Sequence, residues 1–198
     1  MKKINELFYS LQGEGYNCGT PAVFIRFSGC NLQCPFCDTQ HNTGKWMDDT
    51  AIVTEVMKYP APLIVLTGGE PTLFIDEPFI KALLVTGKKI AIETNGTCPL
   101  KLSEETRKQI WITISPKDFL EGSKSPILMQ ECDELKVVNV GQELSHYFDM
   151  KAHHYFLQPC DFGDAKKNQE NLQMTIESCL QDTRWRLSLQ THKMIGIR

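Results

Sequence analysis

The sequence lacks several features that would assign it to a class at once. Its 198 residues contain no apolar run near the ~20 residues that a membrane-spanning helix requires. Residues 1–6 lack the apolar core of a secretion signal. We therefore expect a cytoplasmic protein without a membrane partner, in a compartment that keeps thiols reduced. Its eight cysteines are accordingly not interpreted as four disulfides.

The sequence also lacks a cluster of basic residues. The formal net charge is −3, whereas phosphate backbones bind to basic surfaces. This argues against nucleic acid as the direct ligand and favours a small-molecule substrate. No linker, low-complexity tract or repeat of fixed period divides the chain, so we predict a single domain over residues 1–198.

One short loop is, by contrast, rich in cysteine. Cys30, Cys34 and Cys37 form the pattern C-x3-C-x2-C, which supplies three thiolates with no fourth beside them. An iron–sulfur cube normally takes four cysteines, so three would leave one iron open to a ligand that is not protein. His41 follows four residues later and allows the alternative of a closed, structural Cys3His zinc site. The loop alone leaves both alternatives open.

Short apolar runs rich in β-branched residues predict seven strands, several of them apolar enough to be buried on both faces of a parallel sheet. These runs are Ala22–Phe27, Leu63–Thr67, Ile90–Thr94, Trp111–Ser115, Leu135–Val138, Tyr155–Gln158 and Arg186–Gln190. Amphipathic stretches at Asp49–Tyr59, Glu77–Thr86 and Asn168–Thr183 predict helices. Strands alternating with helices indicate an α/β fold with a mainly parallel sheet.

Polar residues and glycines follow the predicted strands at their carboxyl ends. The segments are Ser28–Cys30, Thr67–Pro71, Glu93–Gly96, Ser115–Lys117, Gln158-Pro159 and Gln190–Lys193. In parallel α/β sheets and barrels, ligands bind outside the carboxyl ends of the strands. We therefore expect these segments to converge around the cysteine loop. A zinc knuckle predicts no such convergence, so the pattern favours an iron–sulfur site.

The cysteine loop after one strand, followed by Gly68-Gly69-Glu70-Pro71 after the next, resembles the radical S-adenosylmethionine superfamily. The resemblance implies an abbreviated, partial (βα)6-type barrel in which three cysteines hold a [4Fe–4S] cluster. The open iron binds the amino and carboxylate groups of S-adenosylmethionine, and the Gly-Gly-Glu-Pro segment lies against its methionine end. Glycine permits close backbone approach, and an acceptor such as Glu70 or a backbone carbonyl suits an ammonium group.

Further motifs resemble one family within that superfamily, the 7-carboxy-7-deazaguanine synthases. They are Leu11–Tyr16, Phe24–Arg26, Cys37–Thr39, Glu93–Gly96, Ser115–Lys117 and Gln190–Lys193. The resemblance covers nearly the whole chain. It implies the rearrangement of 6-carboxy-5,6,7,8-tetrahydropterin to 7-carboxy-7-deazaguanine with loss of ammonia, a step toward queuosine and related 7-deazapurines. It also implies Mg2+, a homodimer, and flavodoxin or ferredoxin as the electron donor.

In the implied chemistry, a 5′-deoxyadenosyl radical abstracts hydrogen from C6 of the pterin. The substrate radical contracts its ring and the hydrogen returns, so that no protein residue is catalytic in the strict sense. The cofactor supplies the hard chemistry, and the protein supplies orientation and the exclusion of side reactions.

The resemblance implies roles for the matching residues. Cys30, Cys34 and Cys37 would bind the cluster, and Thr39 would be the protein ligand of Mg2+. S-adenosylmethionine would be held by Phe36, Cys37, Asp38, Gly69, Glu70, Ser115, Pro116, Lys117, Gln158, Pro159, Cys160 and Asp161. The pterin would meet Leu11, Gln12, Gly13, Arg26, Thr67, His192 and Arg198. A guanidinium group matches a carboxylate through two parallel hydrogen bonds, which suits Arg26 to a carboxylated substrate.

The residues alone also allow structural roles. Arg26 lies on a strand of period two and could face solvent, and Thr39 could be a turn hydroxyl. Glu70 could cap a helix, which is compatible with a functional role, and His192 could be structural. Members of the family often end in proline, whose terminal carboxylate approaches the substrate, whereas this chain ends in Arg198.

Two other functions remain open from the sequence. An activase that installs a glycyl radical on another protein shares the cysteine pattern and a Gly-Gly-Glu segment, but has no reason for Gln12–Gly15 together with Arg26 and Thr39. A non-enzymatic alternative is an iron–sulfur electron carrier or a zinc-stabilised binding protein.

Overall fold

The computed structural model describes residues 1–120 and 126–198, and the strands within them form a single sheet. The strands are β1 (Lys2–Leu11), β2 (Pro21–Phe27), β3 (Lys45–Met47), β4 (Leu63–Gly68), β5 (Lys89–Thr94), β6 (Ile110–Ile114), β7 (Glu131–Asn139), β8 (Lys151–Pro159) and β9 (Trp185–Leu187). Their order across the sheet is β3-β1-β2-β4-β5-β6-β7-β8-β9.

The sheet is mainly parallel, as the sequence predicts. Strand β2 and strands β4 to β9 run parallel to one another, while β1 is antiparallel to both of its neighbours, β2 and β3. Strands β3 and β9 form the two edges of the described sheet, which is therefore open. An open, mostly parallel sheet is the architecture of a partial barrel, and the predicted α/β class is confirmed.

Helices connect several of the parallel strands. They are α1 (Asp49–Val56), α2 (Glu77–Leu84), α3 (Glu104–Arg107), α4 (Ala165–Gln181) and α5 (Thr191–Met194), with 3₁₀ turns at Pro71–Leu73 and Ser145–Asp149. The Asp48 carboxylate caps α1 by accepting the Ala51 N–H at 2.7 Å, which satisfies a donor that the first turn leaves free. The three predicted helices are confirmed. None of the helices in the described part of the chain is long and apolar enough to cross a membrane.

Side-chain alternation divides the core between the two faces of the sheet. On one face, Ile25 and Leu66 belong to the large apolar cluster that Phe79 of α2 completes. On the other face, Phe24 and Val65 belong to a much smaller cluster. The helices therefore cover only the first face, and the second face is left to line a cavity.

The sequence prediction did not include β1 or β3. A bulge between Ile4 and Glu6 breaks the period of two in β1, because Ile4 packs on the helical face while Phe8 packs on the opposite one. A search for apolar residues at a period of two therefore does not recognise β1 as a strand. Strand β3 has three residues and is held only by its pairing with β1, a long-range contact that local sequence does not encode.

The extent predicted for the last strand, Arg186–Gln190, is wrong. Strand β9 ends at Leu187, and Ser188 makes one more ladder bond to the Leu157 carbonyl at 2.8 Å. The chain then leaves the sheet because Thr191 donates its N–H to the Gly13 carbonyl at 3.0 Å. The segment Gln190–Lys193, expected to end a strand, therefore caps and begins α5.

Candidate functional site

A cavity of about 270 Å3 lies at the carboxyl ends of the parallel strands. Residues from each predicted strand-end segment line it, together with the cysteine loop, so the expected convergence is observed. Of the residues that the sequence assigned to the cluster, the cofactor, Mg2+ or the pterin, all line this cavity except Pro116. Pro116 instead offers its carbonyl to the Lys117 ammonium at 3.4 Å, a contact with the chain itself.

The loop that carries Cys30, Cys34 and Cys37 is tied to the segment after β5. The Asn31 amide donates to Thr97 Oγ1 at 2.7 Å and accepts from Asn95 Nδ2 at 3.0 Å. This connection fixes the loop next to a second strand end. The three thiols border the same cavity, but in the described part of the chain no three metal-binding side chains gather around one point.

Two of these thiols, those of Cys30 and Cys34, are partly buried. Burial raises the pKa of the Cys30 thiol, and it also raises the pKa of the Cys34 thiol despite the Lys117 ammonium nearby. A thiolate at these positions therefore needs a positive partner, such as a metal centre, to be stable at neutral pH.

The Gly-Gly-Glu-Pro turn packs directly against the start of the cysteine loop. Glu70 donates its N–H to the Gly29 carbonyl at 2.9 Å. A Cβ atom at Gly69 would overlap that same carbonyl oxygen, so only glycine fits this position. The turn and the cysteine loop therefore form one unit.

The Glu70 carboxylate is buried and serves as the centre of this turn. It accepts the Thr72 N–H at 3.0 Å, the Thr94 hydroxyl at 2.7 Å and the Asn95 N–H at 2.8 Å. The Thr72 hydroxyl adds a fourth bond at 2.6 Å. The capping role that the sequence allowed for Glu70 is thus present. Oε1 accepts three of these bonds and Oε2 only one, so Oε2 and the backbone carbonyls of this segment are the acceptors left for an ammonium group.

Arg26 and Thr39 meet at the cavity wall. The Arg26 guanidinium donates from Nη1 to Thr39 Oγ1 at 2.9 Å, and Thr39 Oγ1 lies 3.4 Å from Asp38 Oδ1. Arg26 Nε is buried and makes no hydrogen bond. Arg26 therefore faces the cavity rather than solvent, and part of its guanidinium group remains available to a ligand.

A buried cation, Lys136, connects two carboxylates that the sequence reasoning left without a role. Its ammonium pairs with Glu14 and lies 3.8 Å from Glu93 Oε1. Glu93 in turn accepts hydrogen bonds from Gln12 Nε2 and from Thr67 Oγ1, both at 2.9 Å. All five side chains line the cavity. They form a polar floor that joins two of the predicted pterin-binding residues, Gln12 and Thr67, to Lys136.

The charges of this floor depend on one another. Burial of Glu14 disfavours its ionisation, but the Lys136 ammonium outweighs burial and lowers the pKa of Glu14 to about 2. Burial opposes the charge on Lys136 as well, and Glu14 and Glu93 overcome it and raise its pKa. Glu14 and Lys136 are therefore both charged near neutral pH.

The sequence contains a signal for the buried lysine, Lys136, that the prediction of site residues missed. Glu134, Lys136 and Val138 occupy alternate positions of β7, so a charge at Lys136 points to the same side as its neighbours at i ± 2. Lys136 is only 5% exposed. A lysine inside the otherwise apolar run Leu135–Val138 indicates a paired, buried cation. Glu14 and Glu93 have no such signal of their own; they occur within the family motifs Leu11–Tyr16 and Glu93–Gly96.

Two further lysines contact residues that the sequence assigned to S-adenosylmethionine. Burial lowers the pKa of Lys117 to about 8, and its ammonium donates to the carbonyl and hydroxyl of Ser115, both at 2.7 Å. Lys193 of α5 bridges Asp161 at 2.8 Å and Asp38 at 3.2 Å. The Lys193 bridge connects the helix after β9 to the cysteine loop and so closes the cavity on that side.

The loop Leu11–Tyr16 lies beside the polar floor and is held there by ring stacking and a hydrogen bond of Tyr16. Tyr16 stacks on Trp111 and His154 with ring centroids 4.7 and 4.5 Å away, and its N–H donates to Glu134 Oε2 at 3.1 Å. A Cβ at Gly13 would overlap the His192 imidazole, so this glycine lets His192 approach the loop backbone. The structure thereby brings His192 beside Gln12 and Gly13, as the sequence expected.

Comparison with known proteins agrees with this geometry. The sequence profile of the radical SAM superfamily matches residues 24–128. A 7-carboxy-7-deazaguanine synthase from Bacteroides thetaiotaomicron is 53% identical over 198 residues, which is the full length of both chains. One from Burkholderia multivorans is 38% identical over 98% of each chain.

Solved structures show the same likeness in three dimensions. The crystal structure of QueE from Escherichia coli superposes with a TM-score of 0.74 at 26% identity, covering 95% of this chain and 93% of that one. SuiB from Streptococcus suis superposes with a TM-score of 0.55 at 14% identity over 82% of this chain, a likeness of fold alone.

Proposed function

Since this chain belongs to the radical SAM superfamily and, within it, to the 7-carboxy-7-deazaguanine synthase family, we propose that it catalyses that family's reaction. In this reaction, 6-carboxy-5,6,7,8-tetrahydropterin undergoes a radical ring contraction to 7-carboxy-7-deazaguanine with release of ammonia. The chain is thus a carbon–nitrogen lyase of 7-deazapurine biosynthesis, the route to queuosine.

The observation that carries the proposal is the Arg26–Thr39 contact at 2.9 Å. It joins a guanidinium group suited to a substrate carboxylate to the residue two positions beyond the last cysteine of the triplet. A carboxylated substrate bound by Arg26 would therefore lie next to the site of radical formation. Proximity of this kind is what a positioned radical reaction requires.

The donor chemistry fits a [4Fe–4S] cluster and S-adenosylmethionine. Cys30, Cys34 and Cys37 would hold the cluster, and the backbone of the Gly69-Glu70 turn, with Ser115, would hold the amino-acid end of the cofactor. When bound, the cluster and S-adenosylmethionine supply the reducing electron and the 5′-deoxyadenosyl group. Phe36, whose ring is parallel to that of Phe119 at 6.1 Å, offers an aromatic surface at the same wall.

We further propose that Thr39 ligates Mg2+. Its hydroxyl lies at the cavity wall between Arg26 and Asp38. Mg2+ often keeps several waters and binds through only one or two protein groups together with substrate oxygens. One hydroxyl, with the Asp38 carboxylate near enough to accept from a bound water, is a sufficient protein contribution.

The polar floor would orient the pterin ring. Gln12, Thr67, Glu93 and His192 offer donors and acceptors in the same cavity as Arg26. The half-buried Glu93 carboxylate suits the adjacent N–H groups of an aminopyrimidinone, because a carboxylate accepts two parallel hydrogen bonds. The Lys136 ammonium lies 3.8 Å from that carboxylate.

The proposal extends to the setting of the enzyme. Residues 1–198 would act as one radical SAM core domain, in the cytoplasm and as a homodimer. A flavodoxin or ferredoxin would supply the electron, and the substrate is a small molecule rather than a nucleic acid.

The experiment is an anaerobic assay of the cluster-loaded protein with S-adenosylmethionine, Mg2+, a reductant and 6-carboxy-5,6,7,8-tetrahydropterin. We expect 7-carboxy-7-deazaguanine and ammonia, identified by mass spectrometry and an ammonia assay. The Cys37→Ser variant should lose the visible absorbance of the cluster and the product, whereas Cys179→Ser on α4 should keep both. A colourless protein that binds zinc, or a coloured one that never yields the deazapurine, would refute the proposal.

A further inference from the structure

The C-terminal residue, Arg198, is fastened to the cavity wall by three contacts with β1. Ser10 Oγ donates to an oxygen of the Arg198 terminal carboxylate at 2.6 Å. The Arg198 guanidinium pairs with Glu6, and its Cζ lies 4.9 Å from the centroid of the Phe8 ring. Glu6, Phe8 and Ser10 alternate along the strand and so share one face. The tail is therefore held at a defined position beside the cavity, which Arg198 lines.

A second guanidinium group lies against the same two side chains. Arg26 pairs in register with Glu6 across β1 and β2, and its Nε is 3.4 Å from Glu6 Oε1. Its Cζ is 5.7 Å from the centroid of the Phe8 ring. Two arginines, one from β2 and one from the chain terminus, thus converge on one aromatic ring and one carboxylate.

Glu6 holds both guanidinium groups at this point. In the described part of the chain, Glu6 is the one side chain that forms an ion pair with either arginine. The terminal carboxylate of Arg198 is a second anion beside them, because Ser10 Oγ donates to its oxygen. Arg26 Nε is buried against Glu6, whereas Nη1 of the same guanidinium group reaches Thr39 at the cavity wall. An anionic ligand in the cavity would therefore meet two arginines on one wall.

We propose that the Arg198 guanidinium completes the subsite for the substrate carboxylate, with Arg26 as its other half, and so determines specificity for carboxylated pterins. This inference rests on the proposed function. It assigns recognition to the side chain of Arg198 in addition to any contact of its terminal carboxylate. Two guanidinium forks on one carboxylate give both charge and geometric selectivity.

Binding of two unreactive pterins tests the inference. The cluster-loaded protein, with S-adenosylmethionine present, is titrated with oxidised 6-carboxypterin and with pterin that lacks the carboxylate, following pterin fluorescence. The Arg198→Ala variant keeps the chain length and the terminal carboxylate. We expect its affinity for 6-carboxypterin to fall by about ten- to hundredfold, the range of a lost charged hydrogen bond, with little change for pterin.

Two further variants make the result specific. Arg198→Lys keeps the charge but not the planar fork, and we expect an intermediate affinity for 6-carboxypterin. Lys166→Ala removes one exposed cation on α4 that is not among the cavity-lining residues, and should bind both pterins as the wild type does.

The outcomes separate this inference from the proposed function. Wild-type affinity of Arg198→Ala for 6-carboxypterin would overturn the inference, and so would an equal loss for both pterins, because the tail would then only close the cavity. If the wild type prefers the carboxylated pterin but forms no deazapurine, the proposed reaction fails while the subsite remains.

Discussion

A single buried ammonium group, that of Lys136, sets the charge of the cavity floor. It neutralises Glu14 and lies 3.8 Å from Glu93, where water has little access. Removing one partner of a buried ion pair is costly because the other charge remains in a poorly solvated place. The floor is therefore important for stability as well as for binding.

We expect Lys136→Met to lower the free energy of unfolding by about 3–5 kcal/mol, the usual cost of breaking a buried pair. Urea denaturation of the cluster-loaded protein under anaerobic conditions measures this loss. The double variant Lys136→Met with Glu14→Gln should recover part of it, since the unpaired carboxylate at position 14 is then gone.

The control for that measurement is Lys166→Met, which removes an exposed cation 87% accessible to solvent. Its free energy of unfolding should stay within about 0.5 kcal/mol of the wild type, as is usual for surface substitutions. An equal loss in both lysine variants would contradict the role assigned to Lys136.

The pKa of Glu14 gives a pH dependence with a defined sign. Because the folded-state pKa is lowered from 4.5 to about 2, the folded protein stays ionised where the unfolded chain takes up a proton. The stabilisation is complete above pH 5 and is lost as the pH falls toward 2, with a slope of up to about 1.4 kcal/mol per pH unit.

We therefore expect the stability difference between the wild type and Glu14→Gln to be largest near neutral pH and to narrow between pH 5 and pH 2. Urea denaturation at a series of pH values checks this. A difference that stays constant over that interval would show that Glu14 titrates normally in the folded protein.

At the scale of elements, the turn after β4 and the cysteine loop act as one unit. Gly69 has no room for a side chain, because a Cβ would overlap the Gly29 carbonyl oxygen next to Cys30. Any larger residue must push the turn away from the loop. We therefore expect a larger residue at position 69 to lower both the stability of the protein and its affinity for S-adenosylmethionine.

We expect Gly69→Ala to lower the free energy of unfolding by about 1–3 kcal/mol, as overpacking usually does, and to weaken binding of S-adenosylmethionine. Equilibrium dialysis of the cluster-loaded protein measures the second effect. Gly87→Ala is the matched control, since Gly87 has a φ of +74° but no atom within 4 Å of a Cβ.

That control should cost about 1–2 kcal/mol of backbone strain without altering binding of S-adenosylmethionine. Unchanged binding in Gly69→Ala as well would mean that the turn does not position the cofactor.

How far sequence predicts these elements depends on the range of the interactions that form them. The buried parallel strands and the three longer helices were predictable, because apolar periodicity and capping residues such as Asp48 are local signals. Strand β1 was not predictable, since its bulge moves Ile4 and Phe8 to opposite faces. The end of β9 was not predictable either, because the contact of Thr191 with Gly13 is made across the whole chain.

The residues of the candidate site likewise divide into those that compact sequence motifs predict and those that depend on long-range contacts. Cys30, Cys34 and Cys37 and the Gly68–Pro71 turn were found because compact motifs carry them. Lys136 was missed because its partners come from other elements, Glu14 from the loop after β1 and Glu93 from β5. The contact of Arg198 with Glu6 joins the two ends of the chain, which no local pattern indicates.

At the scale of the whole molecule, one open parallel sheet gathers these segments at its carboxyl edge, and the C-terminal tail returns across β1 to meet them. The chain matches curated 7-carboxy-7-deazaguanine synthases over its full length. The central claim is that this cavity joins a carboxylated pterin to S-adenosylmethionine for a ring contraction in which the hydrogen is returned.

The most direct measurement is the ratio of 7-carboxy-7-deazaguanine formed to S-adenosylmethionine consumed, with S-adenosylmethionine limiting and 6-carboxy-5,6,7,8-tetrahydropterin in excess. The account predicts many product molecules for each S-adenosylmethionine lost, because the hydrogen returns and the cofactor is restored. Consumption of S-adenosylmethionine without any deazapurine, or with no more than one product for each molecule consumed, would contradict it.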